Sequence, residues 1–222
     1  MFDTTHPEVR AAVERALAED IGSGDITSQL TVPENLQAYG NFLARQSLVI
    51  AGIELLPLIY EFRGGADVQL LKKSGVAAET GDVLATVAGK ARTLLECERV
   101  ALNFLQRLSG IATLARKYAD AVAGKTRVLD TRKTTPGLRQ LEKMAAAAGG
   151  VVNHRKGLFD GILIKNNHIT VTGGVRSALE RTKGFAGSIE IEVRTRAELD
   201  EALAAGAKHL LLDNLSPSEA AE

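Results

Sequence analysis

Much of what would place this chain in a membrane, a secreted scaffold or a nucleic-acid coat is missing. In 222 residues no apolar run is long enough to span a bilayer. The start, MFDTTHPEVR, lacks the apolar core of a secretory signal. One cysteine, Cys97, allows no internal disulfide and fits a reducing cytoplasm. Lys plus Arg number 27 and Asp plus Glu number 27, so bulk charge draws the chain neither to nucleic acid nor to a membrane surface. Repeats and low-complexity tracts are absent. So are a Walker loop, a GxGxxG turn opening a helix, a Ser-His-Asp or Cys-His nucleophile set, and a zinc-type cluster of His and Cys. The pairs Gly64-Gly65, Gly149-Gly150 and Gly173-Gly174 read as turns or caps, and Cys97 as a core residue.

What is present is a regular alternation. Pro7 to Glu19 has helical spacing, and Asp20 to Ser28 reads as a glycine-punctuated loop. Tyr39–Val49 has strand composition and Ala51–Tyr60 looks helical. Asp67–Leu71 and Val83–Val87 read as strands around the turn Glu79-Thr80-Gly81-Asp82. These pieces make a small N-terminal α/β domain over residues 1–92. The phrase Gly81-Asp82-Val83-Leu84-Ala85 also occurs in biotinyl and lipoyl carriers, with Lys72 or Lys73 as the poorly placed carrier lysine; a packing sheet is preferred. Thr93–Val122 is a long amphipathic helical region that Ser109-Gly110 is expected to divide. From there strands and helices alternate: strand 127–130, helix 138–148, strand 161–165, helix 174–182, strand 189–193, helix 197–205, strand 209–213, and a capped helix from Ser216. Such βα units imply a parallel sheet or barrel over residues 93–222. Four units do not close a barrel of about eight strands, so an incomplete α/β barrel is expected, either truncated or left open.

The chemistry collects at the strand ends, where parallel α/β folds bind ligands. The first strand ends in Asp130, Arg132 and Lys133, and the second in Lys165, Asn166, Asn167 and His168. His154, Arg155 and Lys156 follow the intervening helix. Cations gathered at one mouth repel unless an anion joins them, which points to a small, strongly anionic substrate. The later strands supply Glu190, Glu192, Asp213 and Asn214. Alternation puts Ile189, Ile191 and Val193 on one face and both glutamates on the other, where unpaired carboxylates are costly unless used. Such carboxylates suit Mg²⁺ or a developing sugar cation. His168 and His209 read as structural, and His154 as the better placed of the histidines.

At these residues the chain resembles the quinolinate phosphoribosyltransferases. DTRKTTPGLRQLEK, NHRKGLFDGILIKNNH, IEIEV and LLLDN occur in that family in this order, and EDIGSGDITS and ERVALNFLQRLSGIAT are similar to its N-terminal phrases. The resemblance covers nearly the whole chain. It implies an N-terminal open-faced α/β sandwich plus an incomplete α/β barrel of the type II phosphoribosyltransferase kind. It implies a pentosyltransferase of NAD biosynthesis that joins quinolinate to 5-phosphoribosyl-1-pyrophosphate (PRPP), releasing CO₂ and pyrophosphate and giving nicotinate mononucleotide. By the same resemblance Arg132, His154, Arg155 and Lys165 surround the quinolinate carboxylates. Arg99 enters the site from the partner subunit of a homodimer or hexamer. Lys133 lies near both substrates, and Glu192 and Asp213 lie near the ribose and the Mg²⁺-bound pyrophosphate, holding the metal through water or pyrophosphate. A cytoplasmic enzyme with no nucleic-acid or membrane partner is implied.

Asn166 stands where the family commonly has Asp, and Lys156 adds a charge at a variable position. The family also continues past LLLDN into strands whose glycine-rich loops bind the 5-phosphate. This chain alone is therefore expected to have little or no activity. Two other readings stay open: a related phosphoribosyltransferase acting on nicotinate or a molybdate-linked metabolite, and an inactive dimerising or binding module. The number of cations, Arg99, Arg132, Arg155 and Lys165, favours a dicarboxylate substrate.

Overall fold

A computed structural model describes residues 2–222, which fall into two compact units: one ending at His154, the other spanning Arg155–Glu222. Each is built from its own apolar stripe.

In the first unit, helix α1 (Pro7–Ile21) buries Val9, Ala12, Val13 and Leu17, one helical face. Its first turn is capped by His6, whose Nδ1 accepts the Glu8 N–H at 3.2 Å. The glycine loop read through Ser28 is shorter than expected. Helix α2 (Ile26–Thr31) starts inside it, because the Asp25 side chain caps it by accepting from the Ser28 N–H at 3.0 Å and from the Ser28 hydroxyl. The strand-like segment 39–49 divides into β1 (Gln37–Leu43) and β2 (Leu48–Val49). Helix α3 (Leu55–Glu61), β3 (Asp67–Leu70), β4 (Ala77–Ala78) and β5 (Val83–Lys90) complete the N-terminal part. The sheet order is β1-β5-β3, antiparallel throughout, beside a β2-β4 pair. Lys72 is held by Asp82 at 3.3 Å, so neither strand turn offers it as a free carrier arm.

Helix α4 (Ala91–Ala121) runs unbroken through Ser109-Gly110, contrary to the expected division. Its buried residues Leu94, Cys97, Ala101, Leu105, Leu108, Ala112 and Ala115 recur every three or four positions and form one continuous stripe. Ser109 is itself buried in that stripe: its hydroxyl accepts the Ala51 N–H at 3.1 Å, and Thr113 Oγ1 accepts the Val49 N–H at 2.8 Å. The helix thus satisfies an irregular backbone beside it, and the roughly 1 kcal/mol propensity cost of a helical glycine is outweighed by packing. Helix α5 (Arg139–Ala148) packs on α4. It ends at Gly149, where a Cβ would meet Ala112 O at 2.4 Å and Ala115 Cβ at 2.5 Å; only glycine lets the two backbones approach so closely. The expected strand 127–130 is reduced to one parallel bridge, Leu129 to Val152.

The second unit is a parallel sheet in the order β6-β7-β8: β6 (Ile162–Ile164), β7 (Ile189–Val193) and β8 (His209–Leu212). Three helices connect the strands, α6 (Asn166–Thr172), α7 (Val175–Glu180) and α8 (Arg196–Ala204), and α9 (Pro217–Ala221) follows β8. Ile164, Ile191 and Val193 form a core with Ile169, Val175, Ala178, Leu179 and Ala202. That fixes one sheet face as apolar, and it leaves the alternate residues to carry chemistry. Helix α6 was not expected, since Asn166, Asn167 and His168 read as a strand end. The Lys165 N–H donates to His168 Nδ1 at 2.8 Å and so closes the first turn of α6. His168 is thereby structural, as its sequence context suggested.

Candidate active site

In the second unit the register decides which side chains meet. Ile164 pairs with Ile191 and Glu192 with Leu211, so Lys165, Glu192 and Asp213 project from the face opposite the apolar core. Lys165 Nζ lies 2.9 Å from Glu192 Oε1. Glu192 is buried, 7% exposed, whereas the lysine side chain is about half exposed, so its ammonium can also serve a ligand. The Asp213 N–H donates to Val193 O at 3.1 Å, which carries the β7–β8 ladder one residue past β8 and places the Asp213 carboxylate two residues beyond Leu211, on the Glu192 side. Arg194 stands near both: its pKa is raised chiefly by its hydrogen bond to Glu198, with Asp213 and Glu192 adding through space. Arg155 donates through Nη1 to Gly161 O at 3.0 Å, while its Nε–H is buried without a partner.

In the first unit Asp130 is the organising residue. Its carboxylate takes Lys143 Nζ at 2.5 Å and the His154 N–H at 2.7 Å. The Asn153 amide, oriented to satisfy its neighbours, donates to the second oxygen at 2.9 Å. Lys143 and Asp130 are almost sealed, with side chains 2% and 8% exposed. Sequence reading passed over Lys143; its spacing, two residues past Leu141 in an amphipathic helix, gave it no distinction from a surface lysine. Asp130 therefore spends its charge inside the protein and anchors the segment leading to His154. The residues after it, Arg132 and Lys133, lie on a loop from 131 to 138. Lys133 is exposed. Arg132 is partly buried, and its Nε–H is buried without a partner. Arg99 is exposed on α4 and makes no bond to another described residue, unlike Arg107 on the same helix, which pairs with Glu142 at 2.8 Å.

The residues singled out from sequence fall into two sets, to which the structure adds Lys143. Lys165, Glu192 and Asp213 converge on one sheet face, with Arg194 added. Asp130, Lys143 and His154 converge in the first unit, with Arg132 and Lys133 on the adjoining loop. Among the described residues no three Asp, Glu, His or Cys side chains are grouped to hold a metal unaided. Glu192 and Asp213 are two carboxylates this sheet face offers, and a hard cation there would need water or ligand oxygens to complete its shell. Among the described residues no helix is long and apolar enough to cross a membrane.

Two family models match the chain: the N-terminal domain of quinolinate phosphoribosyl transferase over residues 25–109, and its C-terminal domain over residues 111–222. A nicotinate-nucleotide pyrophosphorylase (carboxylating) of Arabidopsis thaliana, named as chloroplastic, is 39% identical over 95% of this chain and 65% of its own length. A probable nicotinate-nucleotide pyrophosphorylase (carboxylating) of Bacillus subtilis is 40% identical over 96% of this chain and 75% of its own length. This chain therefore spans about two thirds to three quarters of those two relatives. The crystal structure of NadC from Streptococcus pyogenes superposes with a TM-score of 0.92 at 36% identity, covering 99% of this chain and 79% of that one. The strand-end pattern, the mixed α/β architecture and these matches together place the chain in the quinolinate phosphoribosyl transferase family.

Proposed function

We propose that this chain catalyses, or forms most of an enzyme that catalyses, phosphoribosyl transfer from PRPP to quinolinate with decarboxylation, as its relatives' names describe. The observation that carries the reading is a surplus of donors: Arg132 and Arg155 each keep a buried Nε–H without a partner. Leaving such a donor unmet costs about 1–3 kcal/mol, a cost that a carboxylate drawn in against the guanidinium would relieve. Arginine's fork also suits a carboxylate better than a point charge does.

In the proposed reaction the pyridine nitrogen of quinolinate attacks C1 of the ribose. The C1–O bond breaks, and pyrophosphate leaves with the electron pair. The C2–carboxylate bond then breaks to release CO₂, its electrons remain at C2 beside the cationic ring nitrogen, and a proton from solvent completes the nicotinate ring. Arg132, His154, Arg155 and Lys165 bind the two carboxylates. Lys133 neutralises charge near both substrates. Glu192 and Asp213 face the positive charge that develops on the ribose, and Lys165 holds Glu192 in place at 2.9 Å. Glu192 and Asp213 would hold Mg²⁺ through water or the pyrophosphate, and the ion would supply charge neutralisation for the leaving group. Alignment of two substrates in this way is worth about 7–11 kcal/mol. Exposed Arg99, which bonds to no other described residue, suits donation to a partner's site in a homodimer or hexamer; the proposed division into domains 1–92 and 93–222 falls just inside α4, which starts at Ala91. A cytoplasmic enzyme without nucleic-acid or membrane partners fits the composition.

Two measurements test the proposal. Calorimetry with quinolinate is expected to give saturable heat that nicotinate, with one carboxylate, does not match. Release of CO₂ from carboxyl-labelled quinolinate is expected to require PRPP and to stop when EDTA removes Mg²⁺. Absence of quinolinate binding with tight self-association would instead favour an inactive dimerising module.

A further inference from the structure

Residues 131–138 form neither helix nor strand, although Arg132 and Lys133 sit on them. The loop makes few backbone bonds of its own: Thr134 N–H to Arg132 O at 3.0 Å, and Leu138 N–H to Thr135 O at 3.0 Å. Within the loop Thr131 Oγ1 accepts the Lys133 N–H at 3.1 Å and the Thr134 hydroxyl donates to Arg132 O at 3.4 Å; its other side-chain ties come from two helices. Arg107 of α4 donates to Glu142 Oε1 through Nε at 3.2 Å and Nη2 at 2.8 Å, and Nη2 also reaches Thr135 Oγ1 at 2.8 Å. The other Glu142 oxygen accepts the Thr135 N–H at 3.2 Å. One turn earlier on the same face of α5, Arg139 donates to Thr134 Oγ1 at 3.2 Å and to Arg132 O at 3.4 Å.

We propose that Arg107, acting through Glu142 and Thr135, is a positioning residue that sets how the 131–138 loop presents Arg132 and Lys133; the inference rests on reading those two as substrate anchors. Arg107 is assigned to the loop and not to the reacting atoms, so its role is positioning and not catalytic. Helix α5 is already fixed to α4 by Leu141 and Ala145 in the core and by the close approach at Gly149. The polar brace is therefore not needed to hold the helix. A buried carboxylate of this kind is a poor source of stability compared with an apolar replacement. What depends on it is the loop: losing Arg107 frees the Thr135 hydroxyl, and losing the Glu142 carboxylate frees the Thr135 N–H.

Hydrogen exchange by mass spectrometry on the full chain tests this, read on peptides covering 131–138. Arg107→Met and Glu142→Gln are expected to speed exchange there about tenfold or more, the effect of losing one charge-assisted bond. Thr135→Val keeps the Arg107–Glu142 pair and is expected to give a smaller rise; it decides the matter where the other variants fail to fold. Peptides from α1 report no change. Calorimetry with quinolinate is expected to rank the three variants in the same order, with affinity reduced about tenfold or more by the first two. Unchanged exchange in folded variants overturns the brace. Faster exchange with unaltered quinolinate affinity overturns its positioning role. A wild-type chain that binds no quinolinate instead overturns the substrate reading, while the exchange result still decides the brace.

Discussion

Replacing Lys143 by Met keeps the length of the side chain and removes its ammonium. In the folded chain that ammonium is 2% exposed and sits 2.5 Å from Asp130, which is 8% exposed. After the substitution Asp130 retains the His154 N–H and the Asn153 amide. Both donors are neutral, so a buried negative charge is left uncompensated. Removing one member of a buried ion pair costs about 3–5 kcal/mol, a large part of the roughly 5–15 kcal/mol that holds a domain together. With a urea slope of about 1–3 kcal/mol per molar, the unfolding midpoint is expected to fall by at least about 1 M. Asp130→Asn alone is expected to cost a similar amount, because it strands the ammonium. The double variant Lys143→Met/Asp130→Asn buries no charge and is expected to be more stable than the sum of the two losses allows. Urea unfolding followed by circular dichroism reads all three. A Lys143→Met midpoint close to wild type, or strictly additive losses, would refute the account of a sealed, mutually dependent pair.

Arg155→Lys keeps the charge but loses the fork, and quinolinate affinity measured by calorimetry is expected to drop about tenfold or more; an unchanged affinity would remove Arg155 from the carboxylate site. Gly149→Ala forces a methyl against Ala112 O and Ala115 Cβ, and a loss of about 1–3 kcal/mol is expected in thermal or urea unfolding; a neutral result would mean that α4 and α5 can separate freely there. Burial pushes the Glu142 carboxyl upward, but its bonds from Arg107 and Thr135 outweigh that and leave it below its usual value of 4.5. The stability it confers is complete above 4.5 and is lost as pH falls through the lower folded value. Glu142→Gln is therefore expected to flatten the acid limb of stability against pH, and parallel acid limbs for the two proteins would count against it.

Local sequence signals were enough for the βα alternation, the cap at Ser216, the helix start at Pro7, and the two-faced pattern of Ile189–Val193. Those features depend on spacing along one segment: an apolar stripe or a capping side chain declares itself within a few residues. The cations and carboxylates at the strand ends were legible for the same reason, since a parallel strand delivers its next residues to one edge. Where the sequence misled, a distant partner decided the outcome. Ser109-Gly110 stays helical because Ala51, far away along the chain, needs the Ser109 hydroxyl. Asn166 to His168 turn into α6 because the His168 ring can reach back to the Lys165 N–H. Lys143 looked like any helix lysine until folding set it against Asp130. Periodicity records which way a side chain faces, whereas its charge partner, its burial and the fate of a loop depend on contacts between segments that only the folded chain brings within bonding distance.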